Sequence, residues 1–97
     1  MSINSKFELG QVVQTKGIAD ARESNKRFDR EVNRAFARYI AADFSDMQYA
    51  DDIAMNYDAI QNGNARIFAT YNTCKGKIYI ITEWDRSYTT ILFPAEY

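Results

Sequence analysis

The sequence predicts an α+β fold in which two or three helices pack on a mainly antiparallel sheet of three to four strands. Three observations predict this class. The middle of the chain has helical periodicity, the last third is rich in β-branched and aromatic residues, and glycine separates the two parts. The chain has 97 residues and a single proline near its end, so we expect residues 1–97 to form one domain.

The N-terminal half is predicted to contain a strand and two helical segments. Residues 7–14 include two adjacent valines and predict a short strand, and residues 18–23 predict a helical turn. The clearest helix covers residues 25–43, where apolar residues recur at steps of three and four. Ser24 or Asn25 is its predicted N-cap, because short polar side chains accept hydrogen bonds from the first turn.

A further helix is predicted between Ser45 and Gly63. Ser45 and Gln48 have the spacing of a capping box, and Gly63 can end the helix in a left-handed conformation. The apolar stripe of this helix consists of Tyr49, Ile53, Tyr57 and Ile60.

The last third predicts three sequential strands over residues 65–71, 78–84 and 87–93. Residues 72–77 contain a glycine and suit a hairpin connection, and a tight turn at residues 85–86 reaches the third strand. Short connections favour an antiparallel meander. The helices must then cover one face, because an uncovered three-stranded sheet leaves apolar side chains in water.

The composition excludes several kinds of chemistry. Histidine is absent, which excludes Ser-His and Cys-His nucleophile systems and His-ligated zinc. No catalytic, metal or cofactor motif is present, so we expect no enzyme, no metal and no cofactor. Twelve Lys and Arg against thirteen Asp and Glu give a net charge of −1, which argues against a generally basic nucleic-acid binder.

One cysteine and the lack of long apolar segments indicate the cellular setting. Cys74 cannot form an internal disulfide. The neighbouring Lys75 and Lys77 could lower its pKa slightly, but a single loop cysteine without a general base is more often incidental. The N-terminus lacks the apolar run of a signal peptide, and no segment approaches the roughly 20 apolar residues of a membrane span. The sequence therefore predicts a cytoplasmic protein without membrane contact.

A basic stripe follows the first long helix at steps of three, four and four. Guanidinium groups in a row suit phosphates or a carboxylate-rich partner, although an ordinary solvated helix face has the same pattern. The stripe consists of Arg27, Arg30, Arg34 and Arg38.

Five aspartates follow with no basic residue between them. They could imitate nucleic-acid phosphates on the basic groove of a nuclease, form a plain solvated face, or pair internally with the arginine stripe. They are Asp43, Asp46, Asp51, Asp52 and Asp58.

Two further groups lie in the predicted sheet. A polar turn is formed by Glu83, Asp85, Arg86 and Ser87. We expect Asp85 to cap this turn and Arg86 to pair with a carboxylate, Glu83 or Glu96, while acid–base chemistry is the less specific alternative. Aromatic residues in or beside the strands favour core packing or, on an uncovered face, a protein-binding surface; they are Tyr71, Tyr79, Trp84, Tyr88 and Tyr97.

The two ends of the chain resemble a known group of proteins. Residues 80–97 read I-I-T-E-W-D-R-S-Y-T-T-I-L-F-P-A-E-Y. This string is similar to the ending of a family of small, mostly uncharacterised plasmid and phage proteins, approximately I-I-T-E-x-D-R-S-x-T-T-x-L-L-P-x-E-Y. The N-terminal residues that match the family are Leu9, Gly10, Val13, Thr15 and Gly17. The resemblance implies a protein of mobile genetic elements and supplies no established activity.

That setting favours a counter-defence role by analogy. We expect a small interaction protein of the anti-CRISPR type, which inhibits a host defence nuclease by direct binding to a Cas nuclease or its guide-RNA complex. The alternative is a plasmid or phage accessory regulator that binds DNA or RNA through the arginine helix. A homodimer is compatible with either function, because a small sheet leaves strand edges unpaired.

Overall fold

The computed structural model describes residues 5–97 and confirms the α+β prediction. A four-stranded sheet carries helices on one face and at one edge. The elements in chain order are β1 (Gln11–Gln14), α1 (Lys16–Ser24), α2 (Lys26–Ile40), α3 (Ala50–Asn62), β2 (Ile67–Thr73), β3 (Gly76–Thr82), β4 (Tyr88–Leu92) and a 3-10 turn (Pro94–Glu96).

The sheet has the strand order β1-β4-β3-β2. The predicted meander is confirmed, because β2, β3 and β4 pair antiparallel in sequence order. The short N-terminal strand adds to this meander parallel to β4, with Val13 opposite Thr90. The chain segment between β1 and β2 contains all three helices. A long connection is needed here because β1 and β2 run parallel, and parallel strands cannot be joined by a tight hairpin.

Two helix predictions are confirmed in detail. Asn25 is the N-cap of α2, and its side-chain oxygen accepts a hydrogen bond from the Phe28 N–H at 3.0 Å. Gly63 ends α3 in the left-handed conformation, at φ 65°.

Other boundaries differ from the prediction. The predicted turn at residues 18–23 is a nine-residue helix, α1. The predicted capping box is wrong, since α3 begins at Ala50 after Tyr49, whose side chain makes no capping bond within residues 5–97. The Ser45 hydroxyl instead donates to the Asp43 carboxylate at 2.6 Å. The long helix ends at Ile40, because Ala42 takes a positive φ of 58° and turns the chain away.

The core lies between α1, α2 and one face of the sheet. Its fully buried side chains include Ile18, Phe28, Tyr39, Ile67 and Ile80. Within residues 5–97 every buried side-chain polar atom has a hydrogen-bond partner, which is expected of a well-packed native interior. In the same part of the chain, no helix combines the length and the apolarity that a membrane span requires.

The third helix covers the edge of β2. The Asn56 side chain accepts from the Phe68 N–H at 3.1 Å and donates to the Phe68 carbonyl at 2.9 Å. An amide side chain thus makes the two bonds that a further strand would make, and it blocks pairing at this edge.

Candidate interaction surfaces

The basic stripe and the aspartate cluster meet at Arg38. The Arg38 guanidinium binds the Asp43 carboxylate at 3.0 Å, the Asp46 carboxylate at 3.1 Å and the Ser45 hydroxyl at 2.8 Å. Bonds from Arg38 and Ser45 lower the pKa of Asp43 well below its usual range. Burial alone would raise the pKa of Asp46, but bonds from Arg38 and from the Asn72 N–H more than offset it. Internal pairing, one of the alternatives above, therefore engages Arg38, Asp43 and Asp46.

The other three aspartates lie on the exposed side of α3. Asp51 and Asp52 occupy its first turn, where carboxylates interact favourably with the helix dipole. Asp58 accepts a hydrogen bond from the Asn62 side chain at 2.7 Å. Among residues 5–97, none of these carboxylates lies within 4.0 Å of a basic group. The helix thus presents negative charge to solvent, and we call Asp51, Asp52 and Asp58 the acidic face of α3.

The remaining arginines of the stripe are exposed on α2. Arg27 lies 3.7 Å from Glu31, whereas Arg30 and Arg34 make no ion pair within the described chain. Glu31 also accepts a hydrogen bond from the Cys74 N–H at 2.9 Å. This bond holds the β2–β3 hairpin against α2. The basic surface of α2 therefore consists of Arg27, Arg30 and Arg34.

The same contact corrects the prediction for the cysteine. The Cys74 thiol is exposed, but its interaction with the Glu31 carboxylate raises the pKa of Cys74. A negative partner disfavours the thiolate. The neighbouring lysines therefore do not activate this residue.

The arginine of the polar turn between β3 and β4 has a structural role. Arg86 donates to four main-chain carbonyls: those of Ala59 (2.8 Å), Ala65 (2.7 Å), Glu83 (3.1 Å) and Trp84 (3.2 Å). The expectation that Arg86 pairs with a carboxylate is wrong, because the turn aims the guanidinium at the C-terminus of α3. A cation is favoured there by the helix dipole. Asp85 caps the turn as expected and accepts from the Ser87 N–H at 3.0 Å.

Residues that carry the family resemblance join the two ends of the chain. The Glu96 carboxylate accepts hydrogen bonds from the Thr15 hydroxyl at 2.7 Å, the Phe93 N–H at 2.9 Å and the Gly17 N–H at 3.2 Å. These bonds lower the pKa of Glu96. A side chain at Gly10 would come within 2.4 Å of the Arg86 and Ser87 carbonyls. Contacts between the two ends of the chain therefore explain the presence of Gly10, Thr15, Gly17 and Glu96.

A groove that the sequence pattern did not reveal lies between α3 and β2. Its volume is about 450 Å³, within the size range of ligand pockets. Tyr49 and Met55 are 62% and 68% exposed beside it. Its lining includes the apolar side chains of Tyr49, Met55 and Phe68 and the charged side chains of Asp52, Arg66 and Lys77. The signal in the sequence is Met55, an apolar residue among the aspartates of α3.

The sheet face opposite α1 and α2 bears an aromatic cluster. Phe68 lies 4.7 Å from Tyr79 and 5.7 Å from Tyr97, measured between ring centroids. The Arg66 guanidinium lies over Phe68 at 5.3 Å and over Tyr97 at 5.6 Å. Of the other aromatic residues, Tyr71 belongs to the core, whereas Trp84 and Tyr88 are exposed. The groove and the aromatic cluster share Phe68 and Arg66, so they form one continuous surface.

The described residues contain no group of three or more Cys, Asp or Glu side chains arranged to hold a metal ion. Comparison of the chain with protein-family models, with curated proteins and with solved structures finds no match.

Proposed function

We propose that this protein acts by binding another protein rather than by catalysis, and that its target is a host defence nuclease such as a Cas effector complex. The observation that supports binding is the groove between α3 and β2, which exposes Tyr49 and Met55 beside the acidic face of α3. Apolar anchors next to a charged rim are typical of protein interfaces. The resemblance to mobile-element proteins supports the choice of target.

The charge distribution makes the proposal more specific. Since Asp43 and Asp46 are occupied by Arg38, the carboxylates available to a partner are Asp51, Asp52 and Asp58. Three carboxylates on one helix attract a basic surface, such as the channel that holds nucleic acid in a nuclease. Met55 lies between them and would enter an apolar pocket of that surface. In this proposal the acidic face steers the encounter and the groove supplies the affinity.

The test is inhibition of DNA cleavage by a panel of Cas effectors, with the Asp51→Asn/Asp52→Asn/Asp58→Asn variant. We expect a loss of potency of at least about tenfold, because loss of charged contacts at an interface slows association and weakens binding. The matched control is Glu8→Gln/Asp20→Asn/Glu23→Gln, which removes equal charge from residues outside α3 and should keep full potency. A folded α3 variant that inhibits as well as the unmodified protein would contradict the proposal.

A second candidate function is nucleic-acid binding by an accessory regulator. The observation that favours it is the basic surface of Arg27, Arg30 and Arg34 on α2. We expect Arg30→Ala/Arg34→Ala to weaken binding to duplex DNA and to flatten its dependence on salt by about 0.9 per lost phosphate contact in a plot of log K against log salt. Fluorescence anisotropy at several salt concentrations measures both quantities. Equal binding by the variant and the unmodified protein would count against this function.

A further inference from the structure

The two edges of the sheet differ in their protection. At the β2 edge, Asn56 occupies the outward main-chain groups of Phe68. At the β1 edge, all four residues of Gln11–Gln14 are exposed. An open strand edge pairs readily with another strand, so it is a candidate interaction surface.

The hydrogen-bond pattern identifies which groups of β1 point outward. The Gln11 N–H donates to the Ser87 carbonyl at 3.1 Å and the Thr15 N–H donates to the Ile91 carbonyl at 3.1 Å, so alternate residues face β4. In a pleated strand the intervening residues point the other way. Val12 and Gln14 therefore direct their main-chain N–H and C=O groups away from the sheet.

Apart from its short length of four residues, this edge lacks the features that usually prevent strand pairing. Gln11–Gln14 contains no lysine, no other charged residue and no proline. Of the cations near this edge in residues 5–97, Arg22 is held by the Asp29 carboxylate at 2.6 Å and donates to the Gln14 side chain at 3.0 Å, and Lys16 pairs with Asp20 at 2.6 Å. No like charges would therefore oppose each other if two such edges met.

A small groove runs beside β1 on the helix side of the sheet. It has a volume of about 300 Å³ and is lined by residues that include Val12, Asn33, Phe36 and Ile91. Val12 is 41% exposed there. The groove lies where alternate side chains of an added strand would point. Its lining is mixed: four residues are apolar and can contact a short aliphatic side chain, whereas Gln14, Arg22 and Asn33 are polar.

We propose that β1 pairs antiparallel with β1 of a second copy of this chain, about a two-fold axis at Val13. In this register, Val12 of each copy lies opposite Gln14 of the other, and these residues exchange main-chain hydrogen bonds on both sides of the axis. Val12 of one copy then reaches the groove of the other copy. The two Val13 side chains meet in the close, non-hydrogen-bonded position of the ladder.

The dimer would contain one continuous eight-stranded sheet, since each copy contributes four strands. The row of residues from Phe68 through Ile81 and Thr90 to Val13 on one face would continue into the same row of the second copy. The aromatic cluster would then occur twice on one surface. This inference is independent of the proposed function, because the edge lies at the opposite end of the sheet from α3.

The first experiment is the mass of the full chain in solution by light scattering, from micromolar to millimolar concentration. We expect the mass of two chains for the unmodified protein and of one chain for Val13→Lys, since a lysine at this position blocks edge pairing. The control Gln61→Lys makes the same charge change on α3 and should remain dimeric. Circular dichroism checks that both variants are folded.

The second experiment tests the register. In a Cys74→Ser background, Val13→Cys should form a disulfide-linked dimer under oxidation, because Cα atoms of a non-hydrogen-bonded pair lie about 4.5 Å apart, within the range of a disulfide. Gln61→Cys in the same background should remain monomeric on a non-reducing gel. A monomer at millimolar concentration would overturn the proposal. So would a dimer that survives Val13→Lys and gives no Val13→Cys cross-link, since it would use another surface.

Discussion

Replacing Arg86 by alanine is expected to lower the free energy of unfolding by about 3 kcal/mol. The Arg86 guanidinium donates to four main-chain carbonyls, and two of them, those of Ala59 and Ala65, lie at or just after the end of α3. Alanine would leave these acceptors without their charged donor and would release α3 from the β3–β4 turn. Because Arg86 is half-buried, water can replace part of these bonds, and the expected effect stays below their sum.

Three control variants separate the contributions at this position. Arg86→Lys should recover little stability, since one ammonium group cannot reproduce the planar fork that reaches four carbonyls. Arg86→Gly should be less harmful than Arg86→Ala by about 1 kcal/mol, because the residue has φ 61° and glycine adopts this conformation without strain. The exposed Arg30→Ala should change stability by less than about 0.5 kcal/mol. Urea unfolding measures all four variants, and equal stability of Arg86→Ala and Arg30→Ala would contradict the structural role.

Thr82→Val is expected to cost about 2 kcal/mol of unfolding free energy, although it preserves the shape of the side chain. Thr82 is the middle member of a buried chain of hydroxyl groups. The Tyr39 and Thr82 hydroxyl oxygens are 2.6 Å apart, those of Thr82 and Thr89 are 2.7 Å apart, and Thr89 donates to the Leu9 carbonyl at 2.7 Å. Valine would leave the Tyr39 hydroxyl without its acceptor.

The donor and acceptor of each hydroxyl hydrogen bond follow from the last bond of the series. A carbonyl only accepts, so the single hydrogen of Thr89 goes to Leu9, and Thr89 must accept from Thr82. Thr82 in turn accepts from Tyr39. Burial raises the pKa of Tyr39, which keeps this donor protonated. This series of hydroxyl hydrogen bonds thus links α2, through β3 and β4, to the N-terminal segment.

A double-mutant cycle tests the coupling. Tyr39→Phe should cost about 1 kcal/mol, because it removes a donor and leaves no buried hydroxyl hydrogen unpaired. The variant with both changes should be more stable than the sum of the single effects predicts. In this variant the Tyr39 hydroxyl is absent, so Thr82→Val leaves no buried donor without an acceptor. Thermal and urea unfolding give the three values. Strict additivity would mean that the two hydroxyls do not interact.

The residues behind the family resemblance illustrate how a motif can be structural. Glu96 binds Thr15 and Gly17, and Gly10 allows the N-terminal segment to approach the β3–β4 turn. These contacts explain why such residues occur at both ends of one chain. The exposed side chains of Tyr49 and Met55, beside the groove, have no comparable packing role.

Local patterns determined the elements that depend on neighbouring residues. The three-and-four spacing of apolar residues predicted α2. Asn25 predicted the N-cap of α2, and Gly63 predicted the C-cap of α3. The segments rich in β-branched residues predicted the meander. Each of these features depends on interactions between residues close in sequence, or on strands joined by short turns, so it can be read from a short window.

Tertiary structure alone decided the features that join distant residues. The parallel pairing of β1 with β4, the contact of Arg86 with the end of α3, and the groove beside α3 all depend on how complete elements pack. Local patterns can also compete with one another, because the contact of Ser45 with Asp43, two residues earlier, prevailed over the capping box that its spacing predicted. Local sequence patterns specify which helices and strands form. Packing decided which charges remain exposed, because a charge pattern does not specify the partner that each side chain meets in three dimensions.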